Sequence, residues 1–157
     1  LEKGTIDAAE WVGPYDDLRL GLNKVAAHYY YPGWWEGSAQ LELFVNTKAY
    51  EGLSAEYKAI IQAASTSSHV LMQAIYDARN PAALKELVAG GAKLHRFPKS
   101  IMDASFKESM AMFDEISAKN PNWKRVYDDF SKFRTDQNLW FKFAEGSFDQ
   151  FMQAQKL

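Results

Sequence analysis

The chain has 157 residues, 47% of them hydrophobic and 24% charged, which suits one globular domain or one lobe of a larger protein. A net charge of −2, with Lys124-Arg125 as the longest basic cluster, argues against a nucleic-acid partner. Cysteine is absent, which excludes a disulfide framework and a thiolate metal site, and no run of about 18 apolar residues is present to span a membrane.

Leu1-Glu2-Lys3-Gly4 reads as the end of a helix with Gly4 just past it, so the chain is expected to be a fragment of a longer protein. Thr5 to Val12 reads as a short buried strand that carries Glu10 and Trp11 and ends at Gly13-Pro14. Asp16 or Asp17 can cap a short helix bearing Leu18, Leu20, Leu22 and Val25. His28 to Gly37 concentrates aromatic residues around a turn at Pro32-Gly33, and Ala39 to Asn46 runs apolar as a second strand. Ser54 opens a long helix that Asn80-Pro81 is expected to interrupt; a further helix then runs to Gly90-Gly91. Lys93 to Phe97 reads as a third strand, and Pro98 starts a helix with Ile101, Phe106, Met110, Phe113 and Ile116 on its core side.

Asn120-Pro121 starts the last helix, whose aromatic residues keep helical spacing from Trp123 to Phe151. Unbroken from Asn122 to Leu157 it would reach about 54 Å, more than one small lobe can cover, and Gly146 is the expected kink. Helices outweigh strands throughout. Three short strands do not cover both faces of an independent α/β sheet, so a preceding segment is expected to supply more of it.

Two carboxylates stand out chemically. Glu10 sits in an apolar strand beside Trp11, and Glu36 lies between Trp35 and Gly37. A buried carboxylate needs a cation, a set of donors or a proton, and one hard cation held by carboxylate and carbonyl oxygens would satisfy both residues. The competing readings are a strand residue pointing to solvent for Glu10 and a turn carboxylate for Glu36. Trp34, Trp35 and the tyrosines Tyr29 to Tyr31 read singly as core or interface residues and together as a pocket wall. His28, His69 and His95 lack metal-ligand spacing, and Glu108, Asp128 and Asp129 read as solvated helix positions.

Three stretches carry a family pattern: Gly4-Thr5-Ile6-Asp7-Ala8-Ala9-Glu10-Trp11, Gly13-Pro14-Tyr15-Asp16-Asp17, and Tyr29-Tyr30-Tyr31-Pro32-Gly33-Trp34-Trp35-Glu36-Gly37. With Asn80-Pro81-Ala82-Ala83-Leu84 and the Pro98 helix following in order, they resemble the 2-oxoacid-binding branch of the DctP-type solute receptors of tripartite ATP-independent periplasmic (TRAP) transporters. The resemblance covers essentially the whole chain and is most specific in its first 40 residues. It implies an α/β fold: the helix-rich C-terminal part of a two-lobe, class II periplasmic-binding-protein-like receptor, with short strands and a long C-terminal helix. Residues 1–120 would belong to the solute-binding lobes, and residues 121–157 would form a helix that makes a homodimer.

The resemblance implies a periplasmic receptor without catalysis, working with transporter membrane subunits and binding a small 2-oxo or 2-hydroxy carboxylate with a metal ion. The ion implied is sodium, with calcium the alternative. Glu10 and Glu36 would ligate it through their side chains and Trp11 through its backbone carbonyl, while Trp11, Trp35 and Glu36 would meet the solute. An arginine for the solute carboxylate and a glutamine for the metal belong to the family pattern upstream of these residues. From the residues alone two other classes stay open: a glycoside hydrolase using Glu10 and Glu36, and a helical protein-interaction module.

Overall fold

In this computed structural model, which describes residues 1–39 and 41–155, the longest element begins where a serine can cap it. Ser54 Oγ accepts a hydrogen bond from the Tyr57 N–H (3.3 Å), and helix α3 follows as Ala55–Ala89, ending at Gly90. Pro81 lies inside α3, so the expected interruption at Asn80-Pro81 is not there. Proline inside a helix removes one backbone bond and crowds the preceding turn, a local cost of about 3 kcal/mol. Tertiary packing overrides it: Ala83 and Leu87, on the turns that follow, are buried to 5% and 1% exposure.

Helix α1, Pro14–Leu20, packs on α3. Its N-cap residue is Gly13, which has no side chain to offer, and neither Asp16 nor Asp17 caps it. The Oδ1 of Asn80, on α3, accepts the Tyr15 N–H instead (3.0 Å). The residue expected to break α3 thus caps its neighbour. Both aspartates are engaged by tyrosines: Tyr76 donates to Asp16 (2.6 Å) and Tyr29 to Asp17 (2.5 Å).

Strands β1, His28–Tyr31, and β2, Lys93–Arg96, pair in parallel, with His28 opposite Lys93 and Tyr31 opposite Arg96. A parallel pair needs a long crossover, which the short helix α2 (Thr47–Glu51) and α3 supply. The strand expected at 93–97 is β2. The one at His28–Tyr31 was not anticipated, although three consecutive tyrosines favour extended backbone. The strands expected at 5–12 and 39–46 do not form among the described residues, Gln40 lying outside them. A strand needs a hydrogen-bonded neighbour, and the sheet described here holds β1 and β2 alone. Both stretches are instead solvent-facing, with Phe44 87% exposed.

The chain forms two compact units, Leu1–Lys99 and from Ser100 onward. In the second, α4 (Lys99–Lys119) is followed by α5 (Pro121–Phe143), whose start is capped by Asn120 Oδ1 accepting the Trp123 N–H (3.1 Å). Phe113 of α4 lies against Trp123 and Tyr127 of α5, with ring centroids 6.0 and 5.2 Å away. Ile101 and Phe106, expected on the core side of α4, are instead exposed. The break after α5 falls at Ala144 (φ −81°, ψ −103°), before the expected Gly146, and α6 runs Glu145–Gln153. Gly146 is required for another reason: a Cβ there would lie 2.8 Å from the Phe141 carbonyl oxygen. Lys156 and Leu157, to which the last helix was expected to run, lie outside the described residues.

Candidate functional site

Asp17 is the one charged side chain buried among the described residues, at 5% exposure. It sits on α1, between the loop that carries Glu10 and Trp11 and strand β1. Its Oδ2 accepts from Tyr29 of β1, and its Oδ1 is buried without a partner. Burial raises the Asp17 carboxyl above its usual range; the Tyr29 hydrogen bond opposes this, and the negative charges of Asp16 and Glu10 add to it. Burial and the Asp17 carboxylate push the Tyr29 phenol strongly upward, so it keeps its proton and remains the donor.

Glu10 lies in an exposed loop and not in a buried strand. Trp11 is 55% exposed beside it. Glu10 is thus not the isolated buried carboxylate expected, since residues 5–12 are exposed.

Beyond β1 the chain passes through Pro32-Gly33 to Trp34 and Trp35, which meet edge to face (centroids 5.5 Å, 80°). Trp35 also stands edge-on to Phe97 (6.5 Å), and Phe97 leans on Tyr30 (5.3 Å), so this segment is tied to the ends of both strands. Gly33 permits the approach, since a Cβ there would lie 3.3 Å from the Trp35 ring. Glu36 follows, exposed, in irregular backbone. Trp34, Trp35, Phe97 and Tyr30 thus form a chain of ring contacts, while Tyr29 turns to Asp17 instead. No group of three or more histidine, aspartate or glutamate side chains among the described residues could hold a metal. What the chain offers are two accessible carboxylates, Glu10 and Glu36, and the carbonyls of their loops.

Three features lie outside the sequence reading. Asp17 and Tyr29 are joined only by the packing of α1 and β1, and nothing in the spacing marks Asp17 over Asp16. His28 and His95, 67 positions apart, meet across the sheet with Nδ1 and Nε2 2.8 Å apart. Arg19 donates to the Tyr15 hydroxyl at 2.6 Å and Arg79 to the same oxygen, and Arg19 foremost lowers the phenol from its usual range.

Residues 1–120 match the family described as bacterial extracellular solute-binding protein, family 7. The monocarboxylate 2-oxoacid-binding periplasmic protein of Nostoc sp. is 44% identical over 151 residues, which are 96% of this chain and 42% of that protein. A TRAP transporter solute-binding protein from Bordetella bronchiseptica aligns with a TM-score of 0.91 at 51% identity, over 98% of this chain and 46% of its own. That structure is a mixed-occupancy dimer, with copurified calcium and picolinate in one active site and the other apo. A TRAP periplasmic solute-binding protein from Pseudoalteromonas atlantica, with sodium and pyruvate bound, aligns with a TM-score of 0.89 at 30% identity, over 99% of this chain and 46% of its own. The chain spans less than half the length of each of these relatives.

Proposed function

Because the chain belongs to family 7 of the bacterial extracellular solute-binding proteins, the receptors of TRAP transporters, we propose that it forms the metal-bearing part of a receptor for a small 2-oxo or 2-hydroxy carboxylate. The family consists of periplasmic binding proteins and not of enzymes, which removes the glycoside-hydrolase reading. The observation that carries the proposal is the pair of solved relatives, each holding a small carboxylate together with a cation.

The donor chemistry of this chain fits such an ion. Glu10 and Glu36 are accessible carboxylates on irregular loops, and Trp11 supplies a carbonyl beside Glu10. Oxygen donors of this kind suit sodium or calcium and not a soft transition metal. When bound, the cation offers open positions to the carboxylate and 2-oxygen of the solute. A chelating acid is then favoured over an acid that lacks the second oxygen. Trp35 and Trp34 form an apolar wall beside Glu36, suited to a short side chain on the solute. The transporter membrane subunits are the downstream partner, and residues 121–157 form the contact of a homodimer.

The test is a thermal-shift titration on the receptor at the full length of its relatives. Pyruvate with sodium or calcium is expected to raise Tm, because a ligand that binds only the folded state adds about 2.7 kcal/mol at a hundredfold excess over Kd. Glu36→Gln is expected to reduce that shift without lowering the unliganded Tm by more than a degree or two, since Glu36 is exposed. Absence of any shift, with either cation and a panel of short 2-oxo and 2-hydroxy acids, would overturn the proposal.

A further inference from the structure

An irregular loop holds its donors only as firmly as its ends are held. The loop that carries Glu10 and Trp11 ends at Gly13, the N-cap residue of α1, which has no side chain to close the helix's first turn. One turn of α3 closes it instead. Asn80 Oδ1 accepts the Tyr15 N–H at 3.0 Å. The same amide group lies against Gly13, where a Cβ would stand 3.8 Å from Oδ1 and 3.9 Å from Nδ2. Tyr76 donates to Asp16 at 2.6 Å, and Arg79 donates to the Tyr15 hydroxyl. The turn of α3 that follows is anchored by the buried Ala83 and Leu87. Asparagine is a weak helix former, and Pro81 after it disfavours helical backbone at position 80. Asn80 therefore does little for α3 itself; its contacts serve the junction between the Glu10–Trp11 loop and α1.

From the Asn80 contacts with Gly13 and Tyr15, we infer that Asn80 is a positioning residue of the solute and cation site, fixing where the Glu10–Trp11 loop enters α1. It thereby fixes where the Glu10 carboxylate and the Trp11 carbonyl stand. This rests on the reading of Glu10 and Trp11 as cation ligands. A loop that is loose at this junction must be ordered when ion and solute bind, and that ordering is subtracted from affinity. Groups that orient metal ligands from behind commonly carry about tenfold or more in metal affinity. A role confined to stability would lower Tm and leave the affinity of the folded protein unchanged.

The experiment is calorimetric titration of pyruvate, with sodium or calcium present, into the full-length receptor and its Asn80→Ala, Asn80→Asp, Ala83→Gly and Glu10→Gln variants. Tm and amide hydrogen exchange are recorded for each. Asn80→Ala is expected to stay folded and to weaken pyruvate on the order of tenfold. Exchange is expected to quicken at the Tyr15 and Asp17 amides, which bond to Asn80 and Gly13 in the first turn of α1. Asn80→Asp keeps the accepting oxygen and is expected to bind within about twofold of the parent. Ala83→Gly softens the same helix at a comparable cost in stability and is expected to bind as the parent does. A folded Asn80→Ala variant that binds pyruvate as the parent does, while Glu10→Gln loses it, overturns this inference and leaves the Glu10 reading intact. An equal loss in Ala83→Gly reduces the effect to general stability and overturns it too, as does failure of Asn80→Asp to restore binding. If Asn80→Ala does not fold, Asn80→Ser, whose hydroxyl falls short of the Tyr15 amide, takes its place, and unchanged affinity there overturns the inference. If the parent binds pyruvate with neither ion, or Glu10→Gln binds as the parent does, the reading of Glu10 fails and this inference fails with it.

Discussion

Asp17 and Tyr29 carry opposite consequences of one burial. Both are raised, so the phenol stays protonated at every accessible pH while the carboxyl titrates higher than in the unfolded chain, where its value is near 3.8. The folded state then holds the Asp17 proton more tightly than the unfolded state. The stability this confers is fully present below about pH 3.8 and is lost as pH rises through the raised folded value. Asp17→Asn is expected to show a flatter profile than the parent as pH rises above about 4, checked by urea midpoints over a pH series. Glu10, Trp11 and Glu36, the residues proposed for the site, were legible from the sequence because carboxylates beside tryptophan are chemically conspicuous; the burial of Asp17 is a different matter. Its environment is made by Tyr29, twelve positions away on another element.

At the scale of elements, Asn80-Pro81 shows how a local signal is overruled. The pair has the form of a helix boundary, and the helix passes straight through it. Pro81→Ala restores a backbone donor inside α3 and is expected to stabilise the chain by about 1–3 kcal/mol in denaturant titrations. Asn80→Ala removes the cap on α1 and is expected to cost about 1 kcal/mol, with faster hydrogen exchange at the Tyr15 amide. The two substitutions, adjacent in sequence, are thus expected to differ in sign. Caps drawn from a helix's own chain, Ser54 and Asn120, were predictable because donor and acceptor are three residues apart. The cap that Asn80 gives α1 spans 65 residues and belongs to the packing.

At the scale of the whole molecule, α5 and α6 leave a row of large apolar side chains in water, including Phe133, Trp140, Phe143 and Phe148. Their helical spacing was visible in the sequence, and an exposed apolar stripe of this length is suited to a second copy. The homodimer proposed through residues 121–157 predicts that Trp140→Glu with Phe143→Glu gives monomers in sedimentation at micromolar concentration, with solute affinity unchanged. A monomeric parent would remove the proposal.

The sequence by itself determined the family, the helix-rich character, the helix starts at Ser54 and Asn120, and the carboxylates and aromatic residues proposed for the site. These signals lie within a few residues of one another, so local chemistry suffices to read them. Only the tertiary structure decided that α3 is continuous through Pro81, that no strand forms at 5–12 or 41–46 among the described residues, and that His28–Tyr31 is a strand. It alone buried Asp17 against Tyr29. Strand pairing, burial and trans-capping each require a partner distant in sequence, and no period or spacing along one segment encodes where that partner will stand.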